Sequence, residues 1–260
     1  MLATVPAENL PRRLRRKFTR PRPIRRLHTT LTLFNYAGLR NRFWALSQMG
    51  LAPAQLATTP GLQFGRLMGS GGGNGFSVSP NWGVYAWLGH WESRAAADDF
   101  FGGNAWYVEA RKRCQESLTV HLLPTMTHGE WGGGNPFVAD RDAYDPSAPV
   151  AVITRATIHP SKLPDFWRYV PKTSASVYDH PERLLSIGVG EYPIFMQATF
   201  SLWKTGKAMQ AFAYRSDHHK EVVKLTRERQ WYKEEMFTRF AVLELEGSWA
   251  GLREPEALFS

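Results

Sequence analysis

The chain has 260 residues, 43% of them apolar, which is enough for one large domain or two small ones around a full hydrophobic core. Its single cysteine, Cys114, excludes an intrachain disulfide and CxxC chemistry, and favours a reducing, cytoplasmic compartment. No apolar run approaches the roughly 20 residues of a membrane-spanning helix, and the N-terminus lacks the apolar segment of a secretory signal.

The net charge of +9 is concentrated at the N-terminus. Residues 1–28 carry nine of the 32 Lys and Arg residues and one of the 23 acidic residues, so the rest of the chain is nearly neutral. Two interpretations of residues 1–26 are open: a disordered, solubilising extension, or a tail that contacts an anionic membrane surface or RNA. Because only Phe18 interleaves the charges, we expect no nucleic-acid partner.

Hydrophobic periodicity predicts the elements of the first half as a strand at 27–36, a helix at 40–52, strands at 62–68 and 84–90, helices at 93–101 and 105–114, and a strand at 117–128. The second half repeats the order, with a strand at 150–158, mostly helix at 163–179, strands at 184–189 and 194–203, helices at 207–214 and 219–230, and a strand at 236–245. Each half therefore has the order β-α-β-β-α-α-β, which is ferredoxin-like with a broken second helix.

The sequence itself supports this internal repeat. Gly89-His-Trp-Glu-Ser93 has a counterpart in Ser201-Leu-Trp-Lys-Thr205, and the closing strands of the two halves lead to Trp131 and Trp249. The repeat is too long for a solenoid unit. It predicts an α+β protein of two ferredoxin-like units whose four-stranded sheets pack face to face within one chain.

The predicted organisation is a basic tail at 1–26, an N-terminal unit at 27–134, a linker at 135–149, a C-terminal unit at 150–251 and a short tail at 252–260. Because the two sheets cover one another within the chain, a homodimer is compatible with this fold but is not needed for its core. Chemistry is expected where the two halves differ.

The densest glycine cluster runs from Gly69 to Gly75 and is followed by Phe76. It is neither a P-loop nor a dinucleotide-binding loop, because no Lys-Ser/Thr and no helix follow it. It is either a flexible hairpin connection or a loop whose bare backbone lets a ligand approach closely. On the second interpretation Gly71, Phe76 and Trp82 are candidate cofactor-binding residues.

The eight histidines include no HExxH motif and no Cys/His cluster, so a protein-ligated zinc site is not expected. His219 differs from the others because it begins a predicted helix and shares one helical face with Val222 and Val223. The matching positions of the first half are Trp106 and Tyr107. A helix N-terminus favours the neutral imidazole that a metal ligand requires, although a satisfied core histidine remains an open alternative.

Two arginines, Arg155 and Arg239, interrupt predicted strands. An arginine that points from a strand into a cleft would suit an anionic group or bound oxygen, so both are candidate catalytic residues. A cross-strand ion pair or an outward-facing side chain is the open alternative.

Several ordered motifs carry a family resemblance: Trp44-Ala-Leu-Ser-Gln-Met49, Met68-Gly-Ser-Gly71, Gly75-Phe76, Pro80-Asn-Trp82, Leu118-Thr-Val120, Pro124-Thr125, Thr154-Arg-Ala-Thr157, Ile187-Gly-Val-Gly-Glu191, Thr199-Phe-Ser-Leu-Trp203, Arg227-Glu228 with Trp231, Arg239-Phe240, and Glu246-Gly247 with Trp249. Together they resemble the spheroidene monooxygenase family of carotenoid biosynthesis over about residues 29–251. The basic tail and three histidines, His90, His121 and His128, depart from the pattern of that family.

The resemblance implies a haem-dependent monooxygenase that inserts oxygen into a long, apolar carotenoid-like substrate with electrons from a ferredoxin-type donor. It also implies a dimeric α+β barrel, here closed within one chain, whose haem b iron is bound by a helical histidine. His219 matches that histidine, and its rivals are His218 and Cys114. The resemblance also implies a long aromatic substrate tunnel, whose candidates are Phe64, Phe76, Trp82, Trp87 and Trp203.

Two other functions stay open at this stage. The same haem could serve a dehydratase or N–O chemistry on a small molecule, which a short, polar-ended pocket would favour. A sealed pocket would instead favour a non-enzymatic haem or lipid carrier.

Overall fold

The computed structural model describes residues 27–72, 79–169, 180–192, 194–215, 225–226 and 228–253. The first half contains β1 (His28–Asn35), α1 (Leu39–Leu56), β2 (Leu62–Gly71), β3 (Pro80–Trp91), α2 (Arg94–Gly103), α3 (Ala105–Arg113) and β4 (Glu116–Gly129). The second half contains β5 (Val150–Ile158), α4 (described over 163–169), β6 (Arg183–Tyr192), β7 (Met196–Trp203), α5 (Gly206–Arg215) and β8 (Tyr232–Gly247).

The eight strands form one closed barrel in the order β1-β3-β2-β6-β7-β5-β8-β4. Each half supplies four neighbouring antiparallel strands, with its first and third strands at the centre. The halves join along β2–β6 and β4–β8, which closes the sheet on itself and leaves no free edge. The prediction of tandem ferredoxin-like repeats that form a dimeric α+β barrel within one chain is therefore confirmed.

Strand alternation divides the apolar residues between two faces of the sheet. The inner face fills the barrel with aliphatic and aromatic side chains, including Leu31, Leu88, Ile153 and Phe200. The outer face of the first half packs beneath α1, α2 and α3 through a mainly aromatic cluster. The second half has a smaller outer cluster in which Trp203 packs against Met209 and Phe212 of α5.

Two predicted boundaries of the first half were wrong by four residues, as was the start of β8, which was predicted at Met236 and lies at Tyr232. β3 begins at Pro80, four residues earlier than predicted, because its first residues pair with Ser70 and Gly71 of β2. α1 continues past Pro53 to Leu56, whose side chain is buried against the sheet. The break between α2 and α3 was predicted correctly, and Asn104 explains it by ending α2 and accepting a hydrogen bond from the backbone N–H of Tyr107 at the start of α3.

None of the helices in the described ranges combines the length and the apolar character that crossing a membrane would require. The predicted second-half helix at 219–230 lies largely outside the described residues.

Candidate functional site

The outer faces of the two half-sheets carry very different side chains. β3 ends at Trp91 and β7 ends at Trp203, and these two tryptophans give a common reference for comparing the two outer faces position by position. At the centre of the first face lie three large aromatic residues, Phe34, Tyr85 and Trp87. At the equivalent positions of the second face lie Ala156, Gln197 and Thr199. Among the described residues, the second half therefore has small or uncharged polar side chains where the first half has a packed aromatic layer. We call the part of the sheet at Ala156, Gln197 and Thr199 the bare face.

Exposure of the central strands shows the same difference. Thr32 of β1 is completely buried beneath the helices of the first half, whereas the equivalent Thr154 of β5 is exposed. A central strand of a ferredoxin-like unit is normally covered by helices on this face. Within the described residues, this face of the second half is thus exposed at Thr154, whereas Ala156 on the same strand is buried.

A cavity of about 780 Å³ lies between α1 and the outer face of β2, in the size range of small-molecule sites. Its wall on the helix side includes Leu46 and Met49, and its floor is the alternating row Gly65, Leu67, Gly69 and Gly71 of β2. The backbone forms the floor at Gly69, where no side chain comes closer than 4.0 Å to a built Cβ, whereas Trp87 packs over Gly65 and Leu67 contributes its own side chain.

The cavity crosses the seam between the two halves. Gly69 of β2 pairs with Gly190 of β6, and both line the cavity together with Gln197 of β7. A Cβ built on Gly69 would only just contact Tyr85, at 4.0 Å, whereas one on Gly190 would lie 2.3 Å from the carbonyl oxygen of Met196. The first glycine therefore leaves room at the seam, and the second permits a close approach of the backbone.

A partly buried ionic network joins the cavity wall to the buried Arg155 guanidinium. Glu191, which lines the cavity, lies 2.6 Å from Arg66 Nε and 3.6 Å from Arg155, and accepts a hydrogen bond of 2.8 Å from Trp131 Nε1. Arg155 also pairs with Glu234. Because Arg155 has two carboxylate partners, its charge is neutralised within the chain.

Glu234 is held ionised at this end of the barrel. Burial alone would raise its pKa, but the backbone N–H groups of Gly133 and Gly132 and the Arg155 guanidinium together lower the pKa below its usual value. The two amides donate to Glu234 Oε1 at 2.8 and 2.9 Å. Glu234 was not predicted as a site residue, because it belongs to no recognisable motif. Its neighbour in the network, Glu191, is the last residue of the motif that begins at Ile187.

Arg239 lies apart from Arg155, on the outer side of the barrel. It pairs with Val152 in the β5–β8 register, stacks 3.4 Å from the centre of the Tyr144 ring and donates from Nε to Thr125 Oγ1 at 3.2 Å. Among the described residues no carboxylate pairs with it. The two arginines do not form one site, and the catalytic role of each stays a prediction.

The remaining sequence candidates divide into three groups. Gly71, Phe64, Trp82 and Trp87 all line the cavity, whereas Trp203 packs in the separate cluster beside α5. Phe76, His218, His219, Val222 and Val223 lie outside the described residues, so their roles stay predictions. Cys114, the rival ligand, lies at the end of α3 with its thiol 3.2 Å from the carbonyl oxygen of Arg111, and burial raises its pKa.

The histidines that depart from the family pattern include two buried ones. His90 is buried with Nδ1 2.7 Å from Thr29 Oγ1, and burial lowers its pKa to about 4. His121 is buried with Nδ1 2.9 Å from His28 Nε2, and burial lowers its pKa. His128 is exposed and stacks on Phe237.

His121 also belongs to the one metal-compatible group found among the described residues, with Glu244 and Glu246. Arg94 lies 2.7 and 3.4 Å from these two carboxylates and already supplies the positive charge there. The group is therefore best described as an ion-pair cluster.

Comparison with known proteins decides the family. The chain is 39% identical over 223 residues to a spheroidene monooxygenase of Rhodobacter capsulatus, covering 85% of this chain and 92% of that protein. It is 35% identical to the spheroidene monooxygenase of Cereibacter sphaeroides, covering 85% and 68%. The chain belongs to the spheroidene monooxygenase family. The resemblance seen in the sequence motifs is thereby confirmed, and relatives named monooxygenases support an oxidoreductase.

The solved structures place this spheroidene monooxygenase family member in a known barrel fold. An aldoxime dehydratase aligns with a TM-score of 0.57 over 84% of this chain and 82% of its own, at 12% identity. A second aldoxime dehydratase, in complex with butyraldoxime, aligns with a TM-score of 0.59 over 89% and 84%, at 11% identity. At such low identity the likeness shows the fold alone. No family model matches the sequence.

Proposed function

We propose that the chain is a haem-dependent monooxygenase that inserts one oxygen atom into a long, apolar carotenoid-like substrate. A ferredoxin-type donor supplies two electrons and the solvent supplies two protons; one oxygen atom of dioxygen enters the substrate, and the other leaves as water. Haem b would supply the activation of dioxygen. The name of the relatives, spheroidene monooxygenase, supports both the reaction class and the substrate class.

The observation that carries the haem assignment is the bare outer face of the second half. A planar cofactor needs a wide, flat space, and Ala156, Gln197 and Thr199 stand where three aromatic side chains fill the first half. His219, which stands only in the second half, would bind the iron beside Val222 and Val223. The family, the position of His219 on one face of its predicted helix with Val222 and Val223, and the bare face thus all favour a haem site in the second half.

The cavity supports the apolar substrate. It has a volume of about 780 Å³, its floor at the seam is backbone, and it runs across the Gly69–Gly190 seam towards Gln197 on the bare face. A substrate lying on the glycine row would therefore reach across the seam to the cofactor side. Its charged wall residue Glu191 is neutralised by Arg66 and Arg155, so no free carboxylate faces an apolar chain from this position.

The two arginines are assigned different roles. Arg155 is a positioning residue, because it holds Glu191 and Glu234 at the barrel end. Arg239 is the better candidate to bind an anionic group such as a haem propionate, because it lies on the outer side of the second half without a carboxylate partner in the described ranges.

The large, apolar cavity does not favour a dehydratase acting on a small polar substrate, which calls for a short, polar-ended pocket. Three residues of its lining, Leu46, Trp82 and Tyr192, are exposed, so the cavity opens to the surroundings and does not favour a sealed carrier.

The test is incorporation of labelled dioxygen. The purified protein is loaded with haem b, supplied with reduced ferredoxin and a detergent-dispersed carotenoid, and the product is analysed by mass spectrometry. We expect one labelled oxygen atom per product molecule and no product without haem. Unlabelled product, or full turnover without haem, would contradict the proposal.

A further inference from the structure

Helix α1 has an apolar stripe that the described part of the chain leaves exposed. Leu39 and Phe43 are 87% and 73% exposed, and Leu46, at the next position of the same i, i+4, i+7 face, is 40% exposed. The opposite face of the helix is also apolar, because Ala52 and Leu56 are buried against the sheet. A helix that is apolar on its solvent side indicates a contact surface.

This stripe leads to the mouth of the substrate cavity. Leu46 lines the cavity, as do Trp82 at the start of β3 and Tyr192 at the end of β6, and both of these aromatic residues are more than half exposed. Three elements from the two halves thus place apolar side chains around one opening. The α1 surface is defined here as Leu39, Phe43, Leu46, Trp82 and Tyr192.

The charges beside the α1 surface are positive. α1 contains Arg40 and Arg42, both exposed, and no acidic residue. The last turn of α3 adds three basic residues; one of them, Arg113, lies 5.1 Å above the ring of Trp44 in α1 and pairs with Glu109 at 2.6 Å, which leaves Arg111 and Lys112 to add positive charge. An exposed apolar face flanked by Lys and Arg is typical of helices that lie in the plane of a membrane interface.

We propose that the α1 surface docks on a bilayer containing anionic lipids, so that the apolar substrate enters the cavity directly from the hydrocarbon phase. The second part rests on the proposed function, whereas the docking itself does not. Trp82 and Tyr192 suit the boundary, because each has an apolar body and a polar tip. The arginines attract the headgroups while Leu39 and Phe43 lie between them.

A second copy of the chain is a less favourable occupant. A two-fold contact brings the same patch together from both copies. Arg40 and Arg42 would then face their equivalents with no acidic residue on α1 to balance them. An anionic lipid surface instead complements these charges.

A site-specific probe distinguishes docking through α1 from binding through the basic tail. In the full-length chain carrying Cys114→Ser, an environment-sensitive fluorophore is attached after Phe43→Cys, or after Val138→Cys as a matched exposed apolar control. Vesicles of phosphatidylcholine with phosphatidylglycerol are added at low and at high salt. We expect a blue shift and a gain in intensity for the label at position 43 only. A probe at 43 that stays in water, or equal shifts at both positions, would overturn the proposal.

A double variant tests the consequence for catalysis. Leu39→Gln with Phe43→Gln removes two anchors that do not line the cavity, and Val138→Gln with Leu243→Gln removes two exposed apolar residues elsewhere. We expect the first pair to lower partitioning onto these vesicles and turnover of vesicle-embedded carotenoid by about tenfold, because two apolar side chains lose their burial. Turnover in detergent should stay within about twofold, because neither residue touches the cavity.

The outcomes separate the two proposals. Normal turnover in detergent with no effect of the first pair on vesicles overturns docking and leaves the proposed function intact. Label insertion at position 43 without any oxygenation supports docking and counts against the proposed function. A dimer in light scattering that the first pair dissociates would identify a second copy as the occupant, and would overturn docking.

Discussion

Gly69 of β2 and Gly190 of β6 are paired directly across the seam of the barrel, with no side chain between the cavity and the sheet. They are glycines for different reasons. At Gly69 there is room for a Cβ at ordinary contact distance from Tyr85, whereas at Gly190 a Cβ would collide with the Met196 carbonyl. One position keeps space open, and the other lets two backbone segments approach closely.

This difference predicts opposite behaviour for two substitutions. Gly69→Leu should fold normally but fill the cavity floor and lower turnover by on the order of tenfold to a hundredfold, because the substrate loses its position. Gly190→Ala should instead destabilise the protein by about 1–3 kcal/mol through overpacking. Urea unfolding and detergent turnover measured on both variants check this, and Gly69→Ala is the mild control. Equal loss of stability in both variants would contradict the different roles.

Refilling the bare face should remove the space for the cofactor. Thr199→Trp places in the second half the residue that the first half has at Trp87, and should lower haem affinity by about tenfold or more through overpacking of the site. Val138→Trp adds the same side chain at an exposed position and should leave haem affinity unchanged. Haem titration followed by absorbance measures both. Unchanged affinity in Thr199→Trp would exclude this face as the site.

We predict that Arg155 contributes more to the free energy of unfolding than Arg94, a more exposed arginine that also forms ion pairs. Arg155→Met leaves Glu191 and Glu234 without their shared cation, while Arg66 still pairs with Glu191 and two backbone amides still donate to Glu234, so it should cost about 1–3 kcal/mol of unfolding free energy. Arg94→Met breaks a largely exposed cluster and should cost at most about 1 kcal/mol. Denaturant unfolding compares the two, and a smaller loss for Arg155→Met would show that the network is not stabilising.

Buried neutral histidines predict a loss of stability in mild acid. Burial lowers the pKa of His90 from 6.5 to about 4, so its contribution is fully present above pH 6.5 and is lost as the pH falls towards 4, because the unfolded chain takes up the proton first. His90→Gln should flatten the fall of the unfolding free energy across this window, whereas His128→Gln, at an exposed site, should not. Urea unfolding across the window checks the slopes, and identical slopes in His90→Gln and the parent protein would refute the assignment.

The sequence was sufficient for the repeat, the order of elements along the chain and the fold, because strand alternation and the tryptophan that follows each closing strand are local signals. It was sufficient for part of the cavity as well, since Gly71 and Trp82 belong to recognisable motifs and both line it. It did not reveal the bare face, because Ala156 and Thr199 become informative only when the registers align them with Phe34 and Trp87.

The partners of Arg155 could not be predicted from local sequence patterns either. Glu234 is distant from Arg155 along the chain and meets it only because β5 and β8 are neighbours in the barrel. Likewise, the residues that α1 buries are spaced as in an ordinary amphipathic helix. Its exposed Leu39 and Phe43 stand out only once the structure shows which face the sheet covers.

The most direct test of the account is haem binding by His219→Ala beside a matched histidine variant. His180 is the control, because it contacts Trp203 and Phe212 next to α5 without being the proposed ligand. We predict that His180→Ala retains about one haem per chain with an unchanged Soret band and reduced CO spectrum, while His219→Ala loses haem and stays folded. A full complement of haem with an unaltered spectrum in His219→Ala would contradict the ligand assignment.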